Sequence, residues 1–306
     1  MKISVKKLKS GFEMPVFGIG TWMMGGDVLH DPANDDNADI RAIREAIELG
    51  VTHIDSSEAY ANGYSEILIS KAIKEYRRED LFIATKVWPL NLHYEDVIKS
   101  AKRSLERLAT DYIDLYIIHY PNPKIPLEES MAALDLLEDS GLIKNIGLSN
   151  FNKKQFMEAQ KHTKHKICSN QIHYNLIHRE YEKNLFIEYT QSDDVMITAW
   201  RSIQEGILSG YFVGKIPDIM IRMCKKYEKT PAQIAINWLI SQKNTVTLAK
   251  SRNITHLKEN LGALGWNMED EDIEEMRKYF PGQKDYSDST NVDIYHETQV
   301  MHSDKR

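Results

Sequence analysis

Four polar residues carry the chemistry that this sequence offers: Asp55 and Tyr60 in IDSSEAYANGYSE, Lys86 in LFIATK and His119 in YIIHYP. A phenol has a pKa of about 10 and gives up its proton reluctantly at neutral pH. An ammonium beside it favours the phenolate and brings that value down, and a carboxylate beside the ammonium keeps the ammonium charged. The set predicts a general acid, Tyr60, tuned by Lys86 and Asp55, acting on a carbonyl oxygen that His119 bonds and orients. No nucleophilic serine, thiol or metal is required. Taken singly the residues are ordinary, since a strand-end aspartate usually caps a turn and a lone lysine is usually solvated. Their conjunction at consecutive strand ends favours chemistry. Tyr64, the second tyrosine of the stretch, starts a helix and reads as packing.

These residues need a scaffold that gathers separate strand ends. Short apolar runs alternate with helical patterns along the 306 residues. ISVKKL and GFEMPVF, turning at Lys9-Ser10-Gly11, read as an opening hairpin. GIGTW is the first inner strand, and VTHID, LFIATK, YIDLYIIH, IKNIGLS, KICSNQI, DVMITAW and TVTLAKS follow it. Helical patterns separate them: IRAIREAIELG, capped by the Asp and Asn residues before it and stopped by Gly50, then YSEILISKAIKEY, YEDVIKSAKRSLERLA and LEESMAALDLLEDSG. FNKKQFMEAQK, REYEKNLFIEYTQ, TPAQIAINWLISQ with Pro231 in its first turn, ITHLKENLGAL and MEDEDIEEMRKYF complete the series.

Nearly continuous apolar strands separated by amphipathic helices imply a parallel sheet covered by helices. Eight such units favour an α/β fold of the closed (β/α)8 TIM-barrel type over an open sheet. A doubly wound sheet would carry a phosphate fingerprint after its first strand. After Gly18-Ile19-Gly20, however, Met23 stands where the third glycine belongs. The expectation is one barrel domain over residues 1–306, with an N-terminal β-hairpin and a C-terminal tail over 281–306. That tail has lost the helical period; a disordered end and a segment packed across the barrel mouth both fit it.

In such a barrel, chemistry gathers at the carboxyl ends of the strands. Those ends read Asp55 with Tyr60 beyond it, Lys86, His119, Ser149-Asn150, Asn170-Gln171, Trp200-Arg201 and Lys250-Ser251. A fold needs none of these polar groups at one rim, whereas a ligand site does.

Composition narrows the classes of function. Hydrophobic residues make up 42% and charged residues 27%, the balance of a globular protein with a full core. The net charge of −6 offers no general basic field for nucleic acid, so any anionic ligand must be held by a local cluster. Two cysteines, Cys168 and Cys224, make no disulfide framework and read as reduced thiols. The basic start MKISVKKLKSGFEMP lacks an apolar core for a secretory signal, and no apolar run is long enough to span a bilayer. The expected setting is cytoplasmic.

With these residues in view, the sequence resembles the aldo-keto reductase superfamily. The resemblance runs from about Phe12 to Leu264, and rests on IDSSEAYANGYSE, the lysine of IATKVWP, the histidine of YIIHYP, GLSNF, NQIHYN and AKSRNITHLKEN. It implies that Asp55, Tyr60, Lys86 and His119 form a catalytic tetrad, and that the cofactor is a nicotinamide bound without a Rossmann domain. By the same resemblance Ser149, Asn150 and Gln171 hold the carboxamide, Trp200 stacks on the ring, and Gly20, Thr21 and Asp55 lie against the ribose. Trp22 and Trp88 match positions lining the substrate pocket, with His119 beside them. Lys250 and Ser251 match the clamp on the adenosine 2′-phosphate, and Glu259 and Asn260 the contacts to adenine, which favours NADPH (NADP+) over NADH.

The sequence departs from the family pattern at two places. His256 stands where an arginine is common, and Arg252 is placed to supply that charge. After the seventh strand Trp200-Arg201-Ser202-Ile203 replaces the common Tyr-Ser-Pro-Leu, and Arg201 suits either the cofactor phosphates or a substrate anion. The segment from Gln204 to Gly214 is expected as a loop over the pyrophosphate. His162, His165 and Cys168 in KHTKHKIC lack the closely spaced ligand pairs of zinc sites, so no metal is expected. The implied function is NADPH-dependent reduction of small aldehydes or ketones, with a small-molecule carbonyl as the partner. No nucleic acid or membrane partner is implied, and no feature specifies an oligomeric state. A cofactor-sensing regulatory protein on the same barrel is the alternative, against which the intact tetrad argues. A metal-dependent hydrolase is a third reading, and the first strand lacks the His-x-His pair it needs.

Overall fold

The chain opens with the hairpin expected of it: β1 (Val5–Lys7) and β2 (Glu13–Pro15) pair antiparallel, with Lys6 opposite Met14. The backbone amides of Lys9 and Ser10 in its turn each donate to the Asp194 carboxylate at 2.8 Å. The computed structural model describes residues 2–209 and 216–281. The proposed tail therefore lies outside the described residues, apart from Pro281.

Eight strands follow: β3 (Phe17–Gly20), β4 (His53–Asp55), β5 (Phe82–Val87), β6 (Leu115–Ile118), β7 (Ile146–Ser149), β8 (Ile167–His173), β9 (Met196–Trp200) and β10 (Thr245–Ala249). They close into a parallel barrel in the order β10-β3-β4-β5-β6-β7-β8-β9. Both faces of these strands are covered, which is why they read as apolar runs rather than as alternating ones. Ile54, Ile83, Leu115, Ile146, Ile172 and Val246 are all without exposure. Register positions the rim. Lys86 lies opposite Ile117 and Val87 opposite Ile118, so His119 emerges from β6 level with Trp88. His173 lies opposite Trp200 across β8 and β9.

The helices are α1 (Asp36–Glu48), α2 (Tyr64–Ile73), α3 (Tyr94–Leu108), α4 (Leu127–Asp139), α5 (Lys153–Lys161), α6 (Glu180–Lys183), α7 (Phe186–Ser192), α8 (Asp218–Tyr227), α9 (Pro231–Ile240), α10 (Ile254–Leu261) and α11 (Asp270–Tyr279). Local chemistry sets their ends. Asp35 accepts from the Ala38 amide at 2.9 Å ahead of α1. Asn152 with Gln155, and Thr230 with Gln233, form reciprocal capping boxes on α5 and α9. Gly50, at φ 100°, takes the left-handed turn after α1 that a side chain would resist.

Two differences from expectation have physical causes. The single helix read over REYEKNLFIEYTQ is broken into α6 and α7, because Leu185 adopts φ 59° and the Asn184 side chain accepts from the Phe186 amide at 3.2 Å. α8 had no counterpart in the sequence pattern. Its buried face is only Ile219, Met220 and Met223, a short stripe among charged neighbours.

Contacts cluster the described residues into two compact units. One comprises 2–19, 45–53, 168–209 and 216–281, and the other 20–44 and 54–167. Among the described residues no helix is long and apolar enough to cross a membrane.

Candidate active site

The four residues singled out first all belong to the second of these units, and they meet. β4 ends on Asp55, Lys86 is the penultimate residue of β5, and His119 is the first residue beyond β6. Lys86 is wholly buried, Asp55 is 3% exposed and His119 9%. The Lys86 ammonium carries three protons and places each of them. Nζ donates to Asp55 Oδ1 at 2.6 Å, to the Ser56 carbonyl at 2.7 Å and to the Tyr60 hydroxyl at 3.3 Å. An ammonium out of water is tolerable only when paired and hydrogen-bonded in this way.

Tyr60 reaches the cluster from a single helical turn, Tyr60–Gly63, in which Ala61 and Asn62 have φ of 49° and 52°. That tight reversal ends on Gly63 at φ 84°, where an added Cβ would lie 2.6 Å from the Arg107 Nε. The Tyr60 ring sits 5.8 Å from that of His119 at 75° and 5.0 Å from that of Trp22 at 66°.

The electrostatics correct one expectation. Burial, and then the Asp55 carboxylate, push the Tyr60 pKa well above its ordinary value; Lys86 does not bring it down. Desolvation of the phenolate outweighs the one ammonium, because that ammonium is already neutralised by Asp55. Tyr60 is thus a firmly protonated phenol. His119 moves the opposite way: burial, and then the charge on Lys86, hold its pKa well below the usual imidazole range, so the ring is neutral.

Aromatic rings surround this centre. Trp88 is edge-on to His119 at 5.6 Å and 80°, and Tyr120 stacks on His119 at 5.1 Å and 24°. Trp22 is 42% exposed. Three neighbours of the tetrad were not anticipated. Tyr120 is one. Ser57 Oγ lies 3.0 Å from His119 Nδ1. Glu58 Oε1 accepts from the Trp88 amide at 2.7 Å and from Asn91 Nδ2 at 3.0 Å. Their signal was their position inside IDSSEAY and next to His119, but a serine and a glutamate in a loop look like solvated residues until their partners are known.

Nearby positions expected to face a cofactor have matching features. Among the described residues, a Cβ built on Gly20 meets nothing within 4 Å. Thr21 is buried, with its hydroxyl 3.1 Å from both the Asp55 carbonyl and Ser56 Oγ. Ser149 is buried at the end of β7, and Asn150 follows it at φ 62°. Asn150 Nδ2 donates to the His119 carbonyl at 3.1 Å and to Ser149 Oγ at 2.9 Å, which leaves the buried Oδ1 without a partner among the described residues.

In the first unit, Gln171 lies inside β8 rather than at its end, because the strand continues to His173. Trp200 ends β9 and stacks on His173 at 4.4 Å and 19°, and His173 stacks on His178 at 4.0 Å. His173 Nε2 is 2.9 Å from Gln204 Oε1, so the platform behind Trp200 is fixed. Arg201 pairs with Glu205 at 2.7 Å and lies 5.5 Å from the Trp200 ring. Ser202 is buried and donates to the Leu248 carbonyl at 3.0 Å, and Ile203 leads into a 3-10 turn over Gln204–Ser209. That turn replaces the first part of the expected loop, and residues 210–214 lie outside the described ones.

Beyond β10, Lys250, Arg252 and His256 are exposed around the start of α10. Asn253 caps that helix through the Thr255 amide at 2.8 Å, and Ser251 donates to the Asn253 carbonyl at 2.7 Å. Glu259 is half-buried and Asn260 is 3% exposed. The remaining histidines of KHTKHKIC are engaged by carboxylates: His162 with Glu158 at 3.2 Å and His165 with Asp139 at 2.9 Å. Among the described residues no group of three His, Cys, Asp or Glu is arranged to hold a metal.

A closed barrel that gathers a phenol, an ammonium, a carboxylate and an imidazole suits an enzyme that reduces carbonyls, and comparison with known proteins bears on it directly. Residues 16–280 match the Aldo/keto reductase family. The chain is 31% identical over 275 residues to the 9,11-endoperoxide prostaglandin H2 reductase of Trypanosoma cruzi, covering 88% of this chain and 89% of the relative. Among solved structures, the thermostable aldo-keto reductase Tm1743 in complex with the inhibitor epalrestat superposes with a TM-score of 0.85 at 37% identity. That match covers 90% of this chain and 99% of the other. An aldo-keto reductase from Klebsiella pneumoniae in complex with NADPH gives a TM-score of 0.79 at 27% identity, covering 94% and 98%. The chain belongs to the aldo/keto reductase family. It is an NADP-dependent oxidoreductase whose reaction is the reduction of carbonyls.

Proposed function

We propose that this chain reduces small aldehydes and ketones with Tyr60 as the proton donor, Lys86 and Asp55 as its electrostatic support and His119 as the second donor to the carbonyl oxygen. One observation carries the assignment: Lys86 donates to the Tyr60 oxygen at 3.3 Å, so the phenol's own proton is not used there. That proton is left for a substrate oxygen, and the Trp22 ring stands 5.0 Å from the Tyr60 ring. The raised Tyr60 pKa suits this task, because the group stays an acid throughout the neutral range. As charge develops on the carbonyl oxygen, its basicity rises far above that of a phenolate and the proton moves to it. The phenolate left behind keeps the hydrogen bond from Lys86, which stays paired with Asp55 at 2.6 Å.

The residues present fit the cofactor. The orphaned Asn150 Oδ1 is an acceptor suited to the amide protons of a nicotinamide carboxamide, and the space beside Gly20 leaves room for a ribose. NADPH, when bound, supplies the hydride. We assign Ser149, Asn150 and Gln171 to the carboxamide, Trp200 to the ring face, and Lys250, Ser251 and Arg252 to the 2′-phosphate. Arg201, Ser202, Ile203, His256, Glu259 and Asn260 are assigned to the rest of the dinucleotide. Trp22, Trp88 and Tyr120 supply flat apolar walls for a short carbonyl compound.

The test is Tyr60→Phe. Turnover of a short aldehyde should fall by about 10²–10⁴-fold, the usual worth of a positioned acid, while NADPH titration gives the wild-type affinity. Equal loss of both would make Tyr60 a structural residue.

A further inference from the structure

We infer that Ser57 is a positioning residue that fixes the tautomer of His119 with its proton on Nε2. The inference rests on the reading of His119 as a donor to the carbonyl oxygen, and says how that donor is kept.

A neutral imidazole has one N–H and one lone pair, and which nitrogen carries the proton is set by the partner of the other. His119 is neutral, and its Nδ1 lies 3.0 Å from the hydroxyl of Ser57, a residue with no exposure. Ser57 has a single hydroxyl proton and two acceptors within reach, His119 Nδ1 at 3.0 Å and the Lys86 carbonyl at 3.4 Å. The carbonyl already accepts the Glu58 amide at 3.1 Å, whereas Nδ1 needs a donor if it holds a lone pair. Ser57 Oγ itself accepts from the Ala59 amide at 3.2 Å, which meets its need for a donor. The Ser57 proton on Nδ1 uses the shorter of its two contacts and leaves the imidazole proton on Nε2. In the reverse arrangement Nδ1 donates to the second lone pair of the hydroxyl, whose own proton is left with the 3.4 Å contact. Nε2 would then be an acceptor, useless for polarising a carbonyl.

The backbone makes the arrangement rigid. The Tyr60 amide donates to the Ser57 carbonyl at 3.1 Å, and the His119 amide to the Val87 carbonyl at 3.1 Å. Ser57 therefore ties the segment carrying the proton donor to the ring of the second donor.

The first readout needs no variant and no substrate. Side-chain ¹⁵N resonances of His119 in the full-length protein, assigned by their loss in His119→Gln, should show Nδ1 unprotonated and Nε2 protonated across the neutral pH range. A protonated Nδ1 overturns the proposal, whether or not the protein reduces carbonyls. The second readout is kinetic. Ser57→Ala should lower kcat by about tenfold, the worth of one hydrogen bond to a catalytic group, with KM for the aldehyde and NADPH affinity little changed. Its His119 signals should show a mixture of tautomers. In a double-mutant cycle with His119→Gln, the Ser57→Ala loss should disappear, since nothing remains for it to orient. A loss that persists in that background would make Ser57 structural and end the proposal. If Ser57→Ala fails to fold, the wild-type resonances still decide.

Discussion

A buried ammonium such as that of Lys86 is stable only because each of its protons has an acceptor, and this makes its energetics testable apart from its chemistry. Removing one member of a buried ion pair strands the other, at a typical cost of about 3–5 kcal/mol. Lys86→Met should therefore lose stability in that range by urea denaturation, because Asp55, 3% exposed, loses its ammonium partner. Asp55→Asn combined with Lys86→Met should recover most of that stability while remaining inactive. A double variant as unstable as the single one would mean that packing, not charge, is lost. His119 makes a second residue-scale prediction, with a sign fixed by its lowered pKa. Below the unfolded value of about 6.5, the unfolded chain takes up a proton that the folded chain refuses. Stability must then fall as pH drops through that window, by up to about 1.4 kcal/mol per pH unit from this group. His119→Gln should flatten the fall; identical slopes in the two proteins would show that the folded ring accepts its proton freely.

Two loops must agree for the site to work, the one after β4 that carries Tyr60 and the one after β5 that carries Trp88. Glu58 joins them through the Trp88 amide and Asn91. Burial raises its pKa despite these hydrogen bonds, so above the ordinary carboxylate value the folded chain holds a proton that the unfolded chain has lost. Its contribution to stability declines as pH rises through that window. Glu58→Gln keeps an acceptor for both donors and removes the titration. It should be at least as stable as wild type at neutral pH, with a flatter profile above about pH 4.3. Glu58→Ala leaves the Trp88 amide without its partner and should cost about 1–3 kcal/mol, with a raised KM as the Trp88 wall loosens. Wild-type stability and KM in Glu58→Ala would detach this carboxylate from the site. None of this was legible in the sequence, because a glutamate three residues after a strand has no periodic signature. The strands themselves were legible: IATK and YIIH are apolar runs ending in a polar residue, and burial on both faces forces that pattern. The break at Leu185 and the short stripe of α8 were not. The first depends on one left-handed residue, and the second on three apolar side chains among charges.

At the scale of the whole chain, the meeting of Asp55, Tyr60, Lys86 and His119 could be expected from their places at strand ends, because a barrel brings successive strand ends to one rim whatever the intervening helices do. What the sequence misjudged was the balance of fields on Tyr60, since burial has no residue type to announce it. The same distinction between global and local charge governs the cofactor. A chain of net charge −6 repels a dinucleotide phosphate at long range, so binding needs local cations, and Lys250 and Arg252 beside the start of α10 are the ones proposed for it. These side chains are exposed, and exposed charges are screened by salt beyond about 8–10 Å. Two opposing effects follow. Added salt relieves the long-range repulsion for both cofactors, somewhat more for the more highly charged NADPH, but weakens the close contact with the 2′-phosphate, the larger effect, for NADPH alone. The ratio of the two dissociation constants should therefore move towards unity as ionic strength rises. Lys250→Ala with Arg252→Ala should produce the same convergence at low salt. NADPH binding should weaken by about tenfold or more through lost charge-assisted hydrogen bonds, while NADH stays within about twofold. Fluorescence titration of both cofactors across salt, in wild type and the double variant, measures all four curves. Parallel losses for the two cofactors would remove these residues from the 2′-phosphate and leave the preference to be sought at His256.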